Sequence, residues 1–241
     1  MRVAVLDGGI DDSHPALKGT VSQRWVVPGV IPGDAAHGTQ VAGVLVGHKT
    51  GKFPGGAGTG AQLMDVVVAD ADGHATAQAI AQGIDWSVEQ EADTVVIALA
   101  LEHDDVELRQ AVAVAIEHDV RVVAATGNGI GSFDAYPAAY DRVIGVTGHD
   151  GRGSPASLAN GRDADIAADG MDVLAPSSGG GYETVSGTSI ATGIAAGQIV
   201  SCCTPFVPED DTDLGTRTSV PFPDGPVPVL ECLSHNKERN R

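Results

Sequence analysis

The chain has 241 residues, and its 32 acidic against 14 basic side chains leave a formal net charge of -18. That length suits one sizeable α/β domain, and the charge argues against nucleic acid or an anionic membrane surface as a partner. No apolar stretch approaches membrane-spanning length, no charged-then-apolar leader precedes the first predicted strand, and Cys202, Cys203 and Cys232 all fall late in the chain, so disulfides do not hold the main body.

Residues 2–6 (RVAVL) form a short apolar run that stops at Asp7-Gly8-Gly9, which predicts a buried parallel strand delivering an acid to its C-terminal end. Residues 37–47 (HGTQVAGVLVG) carry small and apolar side chains at helical spacing, placing His37 at a helix N-terminus. Strand and helix then alternate: strand over 62–68, helix over 75–90, strand over 94–101, helix over 106–118 and strand over 121–125. Short strands follow at 143–147 and 172–175, and a helix over 188–200 is apolar nearly all round and therefore buried.

This alternation predicts an α/β domain over residues 1–200, three layers α/β/α around a mostly parallel central sheet. Residues 201–241 are rich in proline and mixed charge without a sustained period, and are expected to be an irregular tail.

Three stretches set a reactive residue among small neighbours that permit close backbone approach: LDGG at Asp7, HGTQVAG at His37 and SGTSIATG at Ser189. An acid, an imidazole and a hydroxyl are what serine hydrolysis needs, the hydroxyl attacking, the imidazole taking its proton and the acid orienting the imidazole. Taken singly, Asp7 reads equally as a turn residue, His37 as a helix cap or core histidine, and Ser189 as a helix N-terminal residue.

Together, in the order Asp, His, Ser, they resemble the subtilase family of serine endopeptidases. The resemblance runs over roughly residues 2–200. It includes His14 and Pro15 in DDSHPAL, the VVAATGNG segment ending at Asn128, Tyr136-Pro137-Ala138 with the following VIGV, and DVLAP before the serine. It implies a catalytic set of Asp7, His37 and Ser189, with Asn128 as oxyanion-hole donor rather than a simple turn residue. It also implies that an extended substrate peptide lies between Gly73-His74-Ala75 and Ala98-Leu99-Ala100, with Gly127 bordering the pocket for the residue before the cut. Small apolar walls there suggest broad specificity leaning to apolar side chains. Protein or peptide substrates are the implied partners, and oligomeric state and location stay open.

No cofactor is assigned. Calcium is compatible with the acidic composition, but Asp34, Asp70 and Asp72 match no calcium role, so no metal site is assigned. The eight histidines show no H-E-x-x-H pattern, and GTSIA is not a G-x-S-x-G elbow. The chain departs from the resemblance at Gly8, Gln40, Gly193, Ala98 and Ala100 and is shorter than the family at both ends. A second reading therefore stands beside the peptidase: a subtilase-like module of weak or no activity that binds extended peptides.

Overall fold

The computed structural model describes residues 1–58, 60–129, 133–202 and 219–229. Its centre is a seven-stranded sheet built from β1 (Arg2–Asp7), β2 (Val21–Val26), β3 (Gln62–Val67), β4 (Thr94–Ile97), β5 (Arg121–Ala125), β6 (Ile144–His149) and β7 (Ile166–Asp169). The spatial order is β2-β3-β1-β4-β5-β6-β7, and every pairing is parallel. The chain reverses its direction of progress across the sheet beside β1, and the carboxyl ends of strands at such a switch point are where α/β sheets open a crevice.

Alternation along β1 builds both faces. Ala4 and Leu6 pack with Ile80 and Ile84 of α2 (Ala77–Glu89) and with Leu108 and Val112 of α3 (Val106–Glu117). Val3 and Val5 face the other way, toward Val41 and Leu45 of α1 (Ala36–Val46) and Ala191 and Ala195 of α4 (Thr188–Cys202). The result is the expected three-layer sandwich. Gly193 on α4 lets the two helices of the second layer meet, because a β-carbon there would stand 2.8 Å from Val44 Cγ2 and 2.9 Å from the Val41 carbonyl oxygen.

Several elements differ from the sequence reading. β2 reads VSQRWV, a half-exposed edge strand whose polar residues hide its period. β4 stops at Ile97, so Ala98 to Ala100 leave the sheet as loop and edge the cleft, while Leu101 bridges to Tyr136. The strand expected at 172–175 is β8 (Val173–Ser177), which pairs antiparallel with β9 (Gly181–Val185) outside the main sheet.

Within the tail expected to be irregular, β10 (Ser219–Phe222) and β11 (Gly225–Pro228) form a hairpin. It buries Val220, Phe222 and Val227 against Ala167 of β7, which its proline-rich sequence did not advertise. Residues 203–218 and 230–241, with Cys203 and Cys232, lie outside the described residues. Among the described residues no helix is long and apolar enough to cross a membrane.

Candidate active site

Asp7 closes β1 and is 2% exposed. Its Oδ1 accepts the Gly8 N–H at 2.7 Å, and His37 Nδ1 lies 2.9 Å from Oδ1 and 2.8 Å from Oδ2. A neutral imidazole so held carries its proton on Nδ1 and leaves the Nε2 lone pair free to accept another. Desolvation acts to lower the His37 pKa, but the Asp7 charge and hydrogen bond outweigh it, and the net position is above the ordinary imidazole value.

His37 is the second residue of α1; the N-cap Ala35 offers no side-chain cap, Asp34 Oδ1 accepts the Ala36 N–H at 3.0 Å, and the helix is also seated by direct contact with the backbone after β1. A β-carbon on Gly38 would overlap the Gly9 carbonyl oxygen and stand 3.1 Å from Asp7 Cβ. Asp11 N–H adds a bond to Thr39 Oγ1 at 2.8 Å. His37 and Asp7 are thus fixed by one helix resting on one turn.

Ser189 is the second residue of α4 and is 9% exposed, with its backbone N–H in the positive first turn of the helix. Asn128 follows β5 and its Oδ1 accepts the Thr188 N–H at 3.0 Å. That bond turns the amide so that Nδ2 is left as its donor, without an acceptor among the described residues. A β-carbon on Gly187 would lie 3.2 Å from Ser189 Oγ and 3.5 Å from Asn128 Nδ2, so hydroxyl and amide flank one small space. Among the described residues no hydrogen bond joins Ser189 Oγ to His37; catalytic contacts of this kind often tighten only around substrate.

The loop carrying Asn128 hangs from a residue the sequence reading passed over. Asn160, 1% exposed, donates from Nδ2 to the Thr126 and Phe133 carbonyls, each at 2.8 Å. Its own carbonyl accepts Thr126 Oγ1 at 2.6 Å and Thr147 Oγ1 at 2.7 Å, and its N–H donates to the Gly127 carbonyl at 3.1 Å. A buried network satisfied in this way is rigid.

Asp7, His37, Asn128 and Ser189 all line one cleft of about 500 Å³. Of the residues expected to bind substrate, Gly73, Ala98, Leu99, Ala100 and Gly127 line it, while His74 and Ala75 do not. His74 is exposed beside Asp70, and Ala75 pairs with Ala69 in a short antiparallel bridge. Asp34, Asp70 and Asp72 line the cleft as well, which apolar patterning did not reveal.

The ligand atoms of Asp70, Asp72 and His74 lie within 4.8 Å of one another, but all three residues are exposed, and Asp70 Oδ1 is engaged by the N–H groups of Asp72 and His74. His14 is structural: its Nε2 donates to the Gly181 carbonyl at 2.8 Å and its Nδ1 accepts the Ala16 N–H at 3.0 Å. Gln40 donates to Glu183 Oε1 at 2.6 Å, tying α1 to β9.

Comparison with known proteins gives the family. The family model of the subtilase family matches residues 1–203, and the chain belongs to that family, whose members named here are serine-type peptidases. The chain is 32% identical over 213 residues to an intracellular serine protease of Paenibacillus polymyxa, covering 83% of this chain and 65% of that protein. It is 35% identical over 200 residues to subtilisin BL of Lederbergia lenta, covering 82% and 74% respectively. Against subtilisin E of Bacillus subtilis it spans 54% of the relative. Among solved structures, the self-cleaved protease domain of PatA superposes with a TM-score of 0.70 at 32% identity, over 82% of this chain and 77% of that one. The prenylagaramide maturation protease PagA gives 0.72 at 28% identity, over 82% and 73%.

Proposed function

We propose that this chain is a serine endopeptidase acting on protein or peptide substrates through Asp7, His37 and Ser189, with Asn128 completing the oxyanion hole. The observation that carries the reading is the double approach of Asp7 to His37 Nδ1, in a cleft that also holds Ser189 and an amide turned to donate. Ser189 Oγ attacks the peptide carbonyl while His37 Nε2 takes its proton, and Asp7 stabilises the imidazolium that forms. The carbonyl oxygen, now negative, accepts from Asn128 Nδ2 and the Ser189 N–H. His37 returns the proton to the departing amine, the peptide bond breaks, and water then releases the acyl group from Ser189 by the same steps in reverse order.

Gly73, Ala98, Leu99, Ala100 and Gly127 supply the cleft walls along which an extended peptide would lie. The test is covalent labelling by a fluorophosphonate, with parent and Ser189→Ala both checked for folding by circular dichroism. Labelling of the parent that disappears in the variant supports the reading, and a folded parent that is not labelled refutes it. A second reading, a module that binds peptides without cutting them, draws on the absence of a Ser189–His37 hydrogen bond among the described residues. Peptide binding that survives Ser189→Ala, with no turnover by the parent, would favour it.

A further inference from the structure

Strand β3 reads QLMDVV and is buried from its second residue to its end, yet its centre is a carboxylate. Asp65 is 1% exposed and takes part in no step described above. It lies on β3 opposite Val5 of β1 and beside Arg24 of β2 in the strand registers. Its Oδ2 accepts the Ile10 N–H at 3.1 Å and lies 3.4 Å from Arg24 Nε, while Oδ1 is buried without a hydrogen-bond partner among the described residues. A buried carboxylate with one orphaned oxygen is an expensive residue to keep for stability alone, since an apolar side chain of similar size commonly does as well or better.

What the carboxylate grips is the turn that leaves Asp7. Ile10 is held by Asp65 itself, and a β-carbon on Gly9 would stand 3.1 Å from Arg24 Nη2, so the guanidinium lies against the preceding residue. The opposite side of the same turn carries the first turn of α1, through the close approach of Gly38 to Gly9 and the Asp11–Thr39 hydrogen bond. The turn is therefore clamped between two groups, with Asp7 just before it in the chain and the helix that carries His37 resting on Gly9 and Asp11.

We infer that Asp65 and Arg24 form a positioning pair that fixes the Gly8–Ile10 turn and thereby holds the His37 imidazole in register with Asp7. This inference rests on the peptidase reading. It predicts that loss of the clamp slows the activation of Ser189 without weakening substrate binding.

The test compares the rate of fluorophosphonate labelling at Ser189, and kcat and KM on a chromogenic peptide anilide, in parent, Asp65→Leu, Asp65→Asn and Arg24→Met, with Tm measured for each. Asp65→Leu is expected to lower labelling rate and kcat by about 10-fold or more, KM staying within about 2-fold and Tm not falling, because a small misplacement of a catalytic group is enough to lose such a factor. Asp65→Asn keeps an acceptor for the Ile10 N–H and is expected to recover most of the rate, to within about 5-fold of the parent.

An Asp65→Leu protein that is folded and labelled at the parental rate overturns the inference while leaving the peptidase reading intact. So does a change confined to KM. Should Asp65→Leu not fold, Arg24→Met at its half-exposed position decides, and an unchanged labelling rate there overturns the inference. A folded parent that is itself unlabelled removes the peptidase reading and this inference with it.

Discussion

Asn128 Oδ1 accepts the backbone N–H of Thr188, the residue before Ser189, at 3.0 Å. One hydrogen bond thus joins the loop after β5 to the start of α4 and decides which end of the Asn128 amide faces the cleft. Asn128→Ala removes the free donor and leaves the cleft walls in place. Turnover is expected to fall by about 10²–10³ with apparent substrate affinity little changed, the figure measured for such a donor in a subtilisin. Steady-state kinetics on a peptide anilide check this, and an Asn128→Ala protein with full turnover would remove Asn128 from the oxyanion hole.

The pH dependence follows from His37. In the proposed mechanism only the neutral imidazole accepts the Ser189 proton, so activity should rise with pH through the His37 pKa and level off above it. Although burial opposes it, the Asp7 charge and hydrogen bond place that pKa above the ordinary imidazole value, and the acid limb of kcat/KM should lie there too. Asp7→Asn removes both raising causes and favours the wrong tautomer; its kcat is expected to drop by about 10⁴. A profile flat between about pH 5 and pH 8 contradicts the assignment of His37 as the base.

Asp65 makes stability depend on pH in the opposite sense to a surface carboxylate. Burial, only partly offset by Arg24 and the Ile10 N–H, raises its pKa from 3.8 to about 6. A carboxyl whose folded pKa is raised contributes stability that is fully present below the unfolded value and lost as pH rises through the folded one. The loss amounts to at most about 3 kcal/mol by pH 7, at about 1.4 kcal/mol per pKa unit. The Tm of Asp65→Asn should therefore gain on the parent as pH is raised from about 4 to about 7. Thermal unfolding at several pH values measures it, and a constant difference contradicts the raised pKa.

Ala100, which lines the cleft, and Phe133 both pack close to Gly127. A β-carbon on Gly127 would stand 3.1 Å from the Ala100 methyl and 3.4 Å from Phe133 Cζ, so a methyl and a ring edge crowd the residue that precedes Asn128. On the proposed peptidase reading, the substrate side chain next to the scissile carbonyl enters near this point. Phe133→Ala and Ala100→Gly are each expected to raise kcat/KM for peptides with a bulky residue before the cut relative to alanine, by about 10-fold or more. Matched anilide pairs supply the measurement; ratios equal to the parental one would show that neither side chain shapes the pocket.

The sequence by itself determined the layered fold and picked out four residues that line one cleft. Asp7, His37, Ser189 and Asn128 each sit in a local pattern of small residues at an element terminus, and the alternation of apolar runs with helical periods requires a parallel sheet covered on both sides. Such signals survive in one dimension because strand ends and helix starts are local properties of the chain.

Tertiary structure alone decided what depends on distant segments meeting. Asp65 looks like an interruption in an apolar strand until β2 brings Arg24 beside it and the turn after β1 brings Ile10 above it. Asn160 reads as a loop residue until its side chain reaches across 34 positions to the Thr126 carbonyl. The cleft's carboxylates Asp34, Asp70 and Asp72 come from two loops that share no period. β2 and the β10–β11 hairpin escaped notice for the same reason. An edge strand and a short hairpin bury too few side chains of their own to impose a pattern, and their partners are chosen by packing against elements far away in sequence.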